Sequence, residues 1–277
     1  NQDRLAWVKR NTYPVEFWAE LKDFCGEIGI NFLSTPMSKG AAELLDSVGV
    51  DRWKIGSGDI LDFVMLDYIR DSGKPVILSS GMSSLGELKK SYEYLAEKVQ
   101  DITILHCVSQ YPCPLEDLNL NTIPFLQKAF PLAKIGFSDH SLGIEGSLMA
   151  FSLGASVIEK HFTMDRKAFG SDHKVSLEPK ELKELTERIR NGEPLEPTKE
   201  SLGVQTKVLQ AGETKFRAIF RKGLYASRDI RSGEMLEPDF FYALRPKFPN
   251  TFPSEDYPQL LGKTLSQDLK KYEPIKI

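Results

Sequence analysis

The sequence has few cysteines, no long apolar run and no excess of charge of one sign, and each shortage excludes a class of protein. Among its 277 residues are only three cysteines, Cys25, Cys107 and Cys113, without C-x-x-C spacing. This odd number supports neither a disulfide framework nor a zinc knuckle, and we interpret the cysteines as packing residues in a reduced compartment. A formal net charge of -3 argues against a nucleic-acid-binding surface.

The remaining composition is that of an ordinary globular protein. Hydrophobic side chains make up 41% of the chain and charged ones 27%, which excludes a disordered or collagen-like protein. No apolar run approaches the roughly 20 residues needed to cross a bilayer, and residues 1–5 lack the hydrophobic region of a signal peptide. We therefore expect a soluble, cytoplasmic protein with one large α/β domain, or with a large domain and a small one.

Short β-branched segments alternate with segments of helical period along the first two thirds of the chain. Apolar residues between positions 17 and 28, and again between 85 and 99, recur at the i, i+3, i+4 spacing of one buried helix face. Alternating strands and helices predict a parallel sheet. The six predicted strands are residues 30–34, 52–56, 75–79, 102–107, 134–138 and 157–161.

Polar or small residues follow every predicted strand, and this pattern favours a barrel over a doubly wound open sheet. A TIM barrel collects its site at the carboxyl ends of all its strands, whereas a doubly wound sheet concentrates its site at one switch point. A complete barrel has eight strands in about 250 residues. Because only six strands are predicted in residues 1–190, we predict a (β/α)8 TIM barrel that lacks its first two βα units, in a fragment of a longer protein.

A second domain is predicted after the barrel. Glycine and proline are dense in residues 191–198, and the polar, weakly patterned segment 191–216 is predicted to be a linker. Short strands and turns then predict a small, mostly β domain over residues 217–277. A core of that size is marginal alone, so we expect this domain to dock on something larger.

Lys54 is the first candidate for chemistry because the strand alternation points it toward the barrel interior. The adjoining Gly56-Ser57-Gly58 can present backbone N–H groups and a hydroxyl to an anion, and Ser79 begins a second hydroxyl-rich strand end. We therefore interpret Lys54 as an anchor for a phosphate or carboxylate. The alternative is a lysine that extends from the strand end to solvent.

His140 and His161 end consecutive strands in a chain with four histidines. Two neutral imidazoles, with water and substrate oxygens in the other positions, would suit a borderline divalent ion such as Mn²⁺. An acid–base role and a structural hydrogen bond are the alternatives. His106 lies inside a strand and is interpreted as a core histidine, whereas His173 lies in an irregular loop and receives no role.

Four further polar residues lie just past strand ends, where hydroxyl-rich ligands are often held. Each alone is also typical of a loop cap, so ligand contact and capping remain open for all of them. These residues are Asp59, Tyr111, Asp139 and Asp172.

Motifs in order along nearly the whole chain resemble the sialic acid synthase family, whose members condense phosphoenolpyruvate with an N-acetyl hexosamine. The matching barrel segments are residues 32–36, 53–59, 77–82, 105–112, 135–140, 158–163, 170–173 and 176–179. Residues 222–226 and 230–234 resemble the antifreeze-like (SAF) domain of the family. The resemblance therefore implies a TIM barrel followed by a SAF domain.

The resemblance also implies roles for individual residues. His140 and His161 are the expected metal ligands, with Mn²⁺ the expected ion and Mg²⁺ or Co²⁺ as alternatives. Ser109 stands where some bacterial members carry an asparagine that contacts phosphoenolpyruvate. The expected phosphoenolpyruvate anchors are Lys54, Ser57, Ser79 and Ser138.

The resemblance also implies contacts to the amino sugar in the same pocket. Tyr111, Asp59 and Asp172 are expected to contact it, and Thr35 to line the pocket beside it. The residues that the resemblance implies to be catalytic are Lys54, Asp59 and His161.

The implied reaction gives a nine-carbon 2-keto sugar acid and phosphate, with the metal polarising the aldehyde of the open-chain sugar. A relative that acts on another sugar, in pseudaminic, legionaminic or spore-coat polysaccharide synthesis, is the first alternative. A non-catalytic binding module is the second. Small-molecule substrates are expected, and neither nucleic acid nor a membrane.

Arg245 belongs to the small domain, where a lone arginine beside a proline is usually solvated. The family resemblance instead implies a domain-swapped homodimer, in which the small domain caps the barrel of the other subunit and offers an arginine to the sugar. We therefore predict that Arg245 completes the amino-sugar site in trans.

Overall fold

The computed structural model describes residue 6 and residues 8–277, and a five-stranded parallel sheet organises its first part. Each strand pairs with the next strand along the chain, in the order β1-β2-β3-β4-β5. A doubly wound sheet reverses its strand order at a switch point, so this sequential order is that of a barrel, of which the sheet forms a curled half. The strands are β1 (Trp53–Ile55), β2 (Val76–Ser79), β3 (Ile102–Cys107), β4 (Lys134–Asp139) and β5 (Ile158–Lys160).

Helices precede and follow these strands as the alternating pattern predicts. Local sequence sets their ends: Ser38 caps the helix that begins at Lys39 and Gly49 ends it in the left-handed conformation, while Ser84 and Glu87 form a capping box at the start of the helix that begins at Leu85. No helix of this described part of the chain is both long and apolar enough to cross a membrane. The helices are α1 (Val15–Glu27), α2 (Lys39–Val48), α3 (Phe63–Ser72), α4 (Leu85–Ala96), α5 (Thr122–Ala129), α6 (Glu145–Ser152) and α7 (Pro179–Arg190).

Apolar side chains from the outer face of the sheet and from these helices form the main core, with Trp53 and Phe137 fully buried. The predicted buried face is confirmed for α4, where Leu88 and Leu95 are inaccessible to solvent. It is wrong for α1, where no residue is buried and Phe24 is 54% exposed. Trp18 and Leu21, two other members of that apolar stripe, are only partly buried.

Five of the six predicted strands are confirmed, and the predicted strand at residues 30–34 is wrong. Those residues have no regular structure, and the amide of Ile30 bonds to the carbonyl of Cys25 at the end of α1. At the other edge of the sheet, Leu177 forms a single parallel bridge with Phe162. A short apolar run therefore becomes a strand here only where a neighbouring backbone can pair with it.

The second part of the chain is a small domain built on the antiparallel strands β6 (Gly223–Ala226) and β7 (Phe241–Leu244). Several isolated antiparallel bridges extend this pairing, and the predicted mostly β character is confirmed. Buried side chains that include Leu224, Leu269 and Ile275 fill its interior.

Residues 191–222, which we call the connecting segment, join the two parts and pack against the barrel. The segment contains α8 (Lys199–Leu202) and α9 (Thr214–Phe220). The carbonyl of Ser201 accepts a hydrogen bond from the amide of Leu120 at 2.8 Å. Much of the predicted linker is therefore docked structure, because its polar groups hydrogen-bond to barrel loops.

Ion pairs hold the end of the connecting segment on the barrel. The buried ammonium of Lys222 lies 2.7 Å from Asp59 and 2.7 Å from Asp62. Arg217 and Arg221 both pair with Glu87 at the start of α4. Burial opposes ionisation of Glu87, but hydrogen bonds from Arg217 and the backbone outweigh it and lower the pKa of Glu87 to about 2.

The lowered pKa of Glu87 predicts an acid-sensitive contact. Ionised Glu87 stabilises the folded protein fully above the ordinary glutamate pKa of 4.5. This stabilisation is lost as the pH falls toward the lowered pKa of about 2. Glu87→Gln should therefore cost about 3 kcal/mol of unfolding free energy near pH 6 and almost nothing near pH 2. The measurement is denaturant unfolding of both proteins across that range.

The control is Glu97→Gln, because Glu97 makes only an exposed ion pair with Arg70. The difference in unfolding free energy between Glu97→Gln and the unaltered protein should be the same at every pH. A Glu87→Gln curve that is also parallel would show that the Arg217 contact contributes nothing.

Candidate active site at the carboxyl ends of the parallel strands

A cavity of about 550 Å³ lies where the parallel strands end. The carboxyl ends of parallel strands meet at one edge, which brings side chains that are distant in sequence together. Thr35 and Arg245 lie outside the lining, with Thr35 beside Gly56 and Arg245 against Asp59. Ten of the predicted residues line the cavity: Lys54, Ser57, Asp59, Ser79, Ser109, Tyr111, Ser138, His140, His161 and Asp172.

Lys54 points into the cavity from β1 and is only 5% exposed. Its Nζ donates to Ser79 Oγ at 2.8 Å and lies 3.3 Å from a carboxylate oxygen of Glu159. The predicted inward orientation is confirmed, and the alternative of a solvent-extended lysine is wrong. The pair with Glu159 and the bond to Ser79 hold this side chain at the cavity wall.

Glu159 is a site residue that the sequence reasoning missed. Its carboxylate accepts from Ser138 Oγ at 2.7 Å and pairs with Lys54, and its side chain is 39% exposed. The signal in the sequence was a charged residue within a predicted strand. In the structure, Glu159 stands in register with Ser138 of the neighbouring strand. Residues in register on neighbouring strands share a face, so Glu159 faces the cavity as Ser138 does.

Gly81 packs directly against the hydroxyls of the cavity floor. A Cβ at Gly81 would lie 2.3 Å from Ser109 Oγ and 2.7 Å from Ser57 Oγ. Its backbone N–H donates to Ser57 Oγ at 3.0 Å. The absence of a side chain therefore lets the loop after β2 approach the hydroxyls closely.

The two histidines at consecutive strand ends lie side by side. The ring centroids of His140 and His161 are 5.3 Å apart, and the ring of Tyr111 packs 4.2 Å from that of His140. His140 Nδ1 lies 2.8 Å from the carbonyl oxygen of Val108. Because a carbonyl only accepts, Nδ1 carries the proton in that contact and a neutral His140 keeps its lone pair on Nε2.

Cys107 departs from the predicted role of a packing residue. Its thiol lines the cavity, 3.4 Å from Ser57 Oγ and 4.0 Å from His140 Nδ1. Burial disfavours both charged forms, but the two charges favour each other, which lowers the pKa of Cys107 and raises that of His140. Burial and the His140 charge together lower the pKa of His161.

The two histidines fit part of a metal site. Within residue 6 and residues 8–277, no group of three or more His, Cys, Asp or Glu side chains is arranged to hold a metal ion. Nε2 of His140 is a suitable donor once that ring is neutral, which its raised pKa opposes, and burial, the largest cause of the lowered pKa of His161, favours the neutral ligating form of that ring. Two imidazoles would leave the remaining positions to water and substrate oxygens, as the sequence pattern predicts.

Asp59 lines the cavity but is already engaged. It is 2% exposed, and one oxygen lies 2.7 Å from Lys222 Nζ and 2.5 Å from Arg245 Nη2. Arg245 also donates to the carbonyl of Phe220 at 2.8 Å. The structure thus brings Arg245 to the rim of the cavity within one chain, and its action in trans stays a prediction.

Two other candidates lie away from the cavity lining. Asp139 accepts from Ser141 and Ser147 and pairs with Lys160 at 2.9 Å, so of the two alternatives left open for it the structure favours the capping role. His106 is buried with Nε2 2.7 Å from the carbonyl of Leu118, which confirms the interpretation as a core histidine.

Comparison with known proteins identifies both parts of the chain. The model of the NeuB family matches residues 1–200, and the model of the SAF domain matches residues 221–277. The chain is 37% identical to an N,N'-diacetyllegionaminic acid synthase of Campylobacter jejuni, over all of this chain and 81% of that protein. It is also 37% identical to human N-acetylneuraminate-9-phosphate synthase, over 89% of this chain and 67% of that protein.

A solved structure agrees with the sequence comparison. The spore coat polysaccharide biosynthesis protein SpsE of Bacillus subtilis superposes with a TM-score of 0.83 at 34% identity, covering 96% of this chain and 77% of that one. The chain spans about two thirds of the length of several curated relatives that it matches. The resemblance and the SAF domain inferred from the motifs are thereby confirmed.

Proposed function

The chain belongs to the NeuB family, and from this premise we propose that it condenses phosphoenolpyruvate with N-acetylmannosamine or a related amino sugar. The products are a nine-carbon 2-keto sugar acid and phosphate. One observation carries the proposal: a buried lysine and several strand-end hydroxyls face the same cavity as two adjacent imidazoles. The first set suits a phosphorylated carboxylic acid, and the second suits the oxygens of a sugar.

The anionic substrate would bind against Lys54 and the hydroxyls of Ser57, Ser79, Ser109 and Ser138. Charge-assisted hydrogen bonds to phosphate are stronger than neutral ones, and a buried ammonium is little screened by solvent. Lys54 already holds Ser79 at 2.8 Å, so little reorganisation is needed when the anion arrives.

The reaction follows from where charge develops. Carbon 3 of phosphoenolpyruvate attacks the sugar aldehyde, and positive charge then develops at carbon 2. Water adds at carbon 2 and phosphate leaves by cleavage of its C–O bond, so one water is consumed for each phosphate released. Lys54 and the hydroxyls hold the phosphate throughout, while Glu159 lies close enough to oppose the positive charge or to take a proton from the water.

A divalent metal held by His140 and His161 would supply Lewis-acid polarisation of the aldehyde oxygen, with Mn²⁺ as the proposed ion. Tyr111 stacks beside both imidazoles and is 44% exposed, so its ring can pack against the sugar. Asp172 lines the same side of the cavity, while Asp59 would act through the arginine that it holds.

A diacetylated sugar of the legionaminic type is a second candidate acceptor. The observation in its favour is that the whole of this chain aligns with a legionaminic acid synthase. Pseudaminic and spore-coat polysaccharide relatives match the chain as well, so an assay should include their sugar classes.

The direct test measures phosphate release by the full-length protein with phosphoenolpyruvate and a panel of amino sugars. We expect phosphate release that requires one of the sugars. The 2-keto product should form in an amount equal to the phosphate released. No release with any sugar, by a folded protein that also binds no phosphoenolpyruvate, would favour the alternative of a non-catalytic binding module.

In the same assay, Lys54→Ala should weaken phosphoenolpyruvate binding by about 2 to 4 kcal/mol, or roughly 30- to 900-fold. The change removes the buried cation and leaves Glu159 unpaired to repel the anion. Lys134→Ala is the control, because Lys134 starts β4 at the opposite end of the sheet and makes an exposed pair with Asp101. An unchanged Michaelis constant and turnover in Lys54→Ala would refute the anchor.

Removal of metal tests the two histidines. Full-length protein stripped with a chelator should lose turnover and regain it with Mn²⁺, whereas His140→Ala and His161→Ala should not regain it. His173→Gln is the control, because His173 contacts Thr163 outside the cavity lining. Full turnover after verified removal of metal would exclude the proposed ion.

We also propose a homodimer in which the small domains are exchanged. Domain swapping replaces a contact within one chain by the same contact between two chains, so the Arg245–Asp59 pair is the contact that would be exchanged. Arg245 would then complete the amino-sugar site of the other subunit.

Mixing full-length Arg245→Ala and His140→Ala subunits separates the two arrangements. A swapped dimer of this mixture contains one site with both defects and one with neither, so we expect activity to return. Either variant alone, taken through the same exchange procedure, is the control. Mixed dimers without activity, despite verified exchange, would show that Arg245 acts within its own chain.

A further inference from the structure

Met82, in the loop after β2, is held on both sides by the connecting segment. It has a φ of 53°, a left-handed conformation that is unfavourable for a residue with a side chain. Its amide donates to Glu213 Oε1 at 2.7 Å, and its carbonyl accepts from Arg217 and Arg221, each at 2.9 Å. The connecting segment thus supplies partners for both backbone polar groups of a strained residue.

Glu213 links this loop to the loop after β3. The same Oε1 atom accepts from the amide of Ser109 at 2.9 Å, and Oε2 accepts from the amide of Gln210 at 3.0 Å. Glu213 is 1% exposed. A buried carboxylate that accepts several backbone N–H groups is costly to remove, because those donors would then be buried without partners.

The two loops that Glu213 joins are those that shape the hydroxyl cluster of the cavity. Gly81 precedes Met82, and its backbone fits against Ser57 and Ser109 with no room for a Cβ. Ser109 presents its hydroxyl to the cavity from the residue whose amide Glu213 holds. A movement of either loop by a few tenths of an ångström would therefore displace the hydroxyls that face the anion.

We propose that Glu213 is a positioning residue for the anion subsite, because it fixes Met82 and Ser109 relative to each other. This inference rests on the proposed function, in which that subsite takes phosphoenolpyruvate. Glu213 touches no substrate; it acts through the backbone of two loops. The connecting segment is then a part of the substrate site as well as a join between domains.

Variants of Glu213 in the full-length protein test the proposal through the two Michaelis constants. Glu213→Ala should raise the Michaelis constant for phosphoenolpyruvate tenfold or more and change that for the sugar by less than threefold. Glu213→Gln should restore much of the loss, because its carbonyl oxygen can still accept from the amides of Met82 and Ser109. The matched control is Glu181→Ala, since Glu181 also accepts a backbone amide in a capping box but lies at the start of α7.

Hydrogen exchange supplies a readout that does not depend on turnover. The amides of Met82 and Ser109 should exchange at least tenfold faster in Glu213→Ala, with an intermediate rate in Glu213→Gln and no change in Glu181→Ala. If Glu213→Ala does not fold, Glu213→Gln and Glu213→Asp take its place, with the same two constants and amides measured.

The outcomes separate this inference from the proposed function. If the unaltered protein binds phosphoenolpyruvate but the variants bind it equally well, the positioning role is overturned. Equal increases in both Michaelis constants would show general loss of structure and would overturn it too. If the unaltered protein binds no phosphoenolpyruvate, the proposed function fails. If hydrogen exchange at Met82 and Ser109 is then also unchanged in Glu213→Ala, the claim that Glu213 links the two loops is overturned as well.

Discussion

The join between the barrel and the small domain depends on one buried lysine, Lys222, held between the carboxylates of Asp59 and Asp62. Removing one member of such a group leaves an unpaired buried charge and typically costs about 3 to 5 kcal/mol. Burial raises the pKa of Asp62, and the charge of Lys222 and its hydrogen bond oppose part of that rise. Because Asp59 also lines the cavity and binds Arg245, domain docking and the active site share one carboxylate.

One ion pair lies at the wall of the cavity, where Lys54 lies against Glu159. Cys107 lies beside His140 on the same cavity lining. A phosphate that reaches Lys54 would therefore compete with Glu159, and the hydroxyls of Ser79 and its neighbours help to shift that balance toward the substrate. Such a cavity is organised for an anion without carrying an unpaired buried charge of its own.

Polar composition misled the interpretation of the connecting segment. Ser201 and Glu213 are polar, as in a flexible linker, yet they are 0% and 1% exposed. The amide of Leu120 donates to the backbone carbonyl of Ser201, and the amide of Ser109 donates to the carboxylate of Glu213, so barrel loops rather than water satisfy these acceptors. Composition cannot distinguish these two cases, because the donors that satisfy Glu213 lie about 100 residues earlier in the chain.

The sequence by itself determined the barrel class and ten of the residues that line the cavity, because periodicity and strand-end chemistry are local properties. Lys54 was found because alternation within a strand assigns each side chain to a face. Only the tertiary structure decided that Asp139 is structural, that Glu159 pairs with Lys54 and that residues 30–34 form no strand. Each of these depends on which backbone or charge lies opposite, and that partner is distant in sequence and becomes a neighbour only when the chain folds.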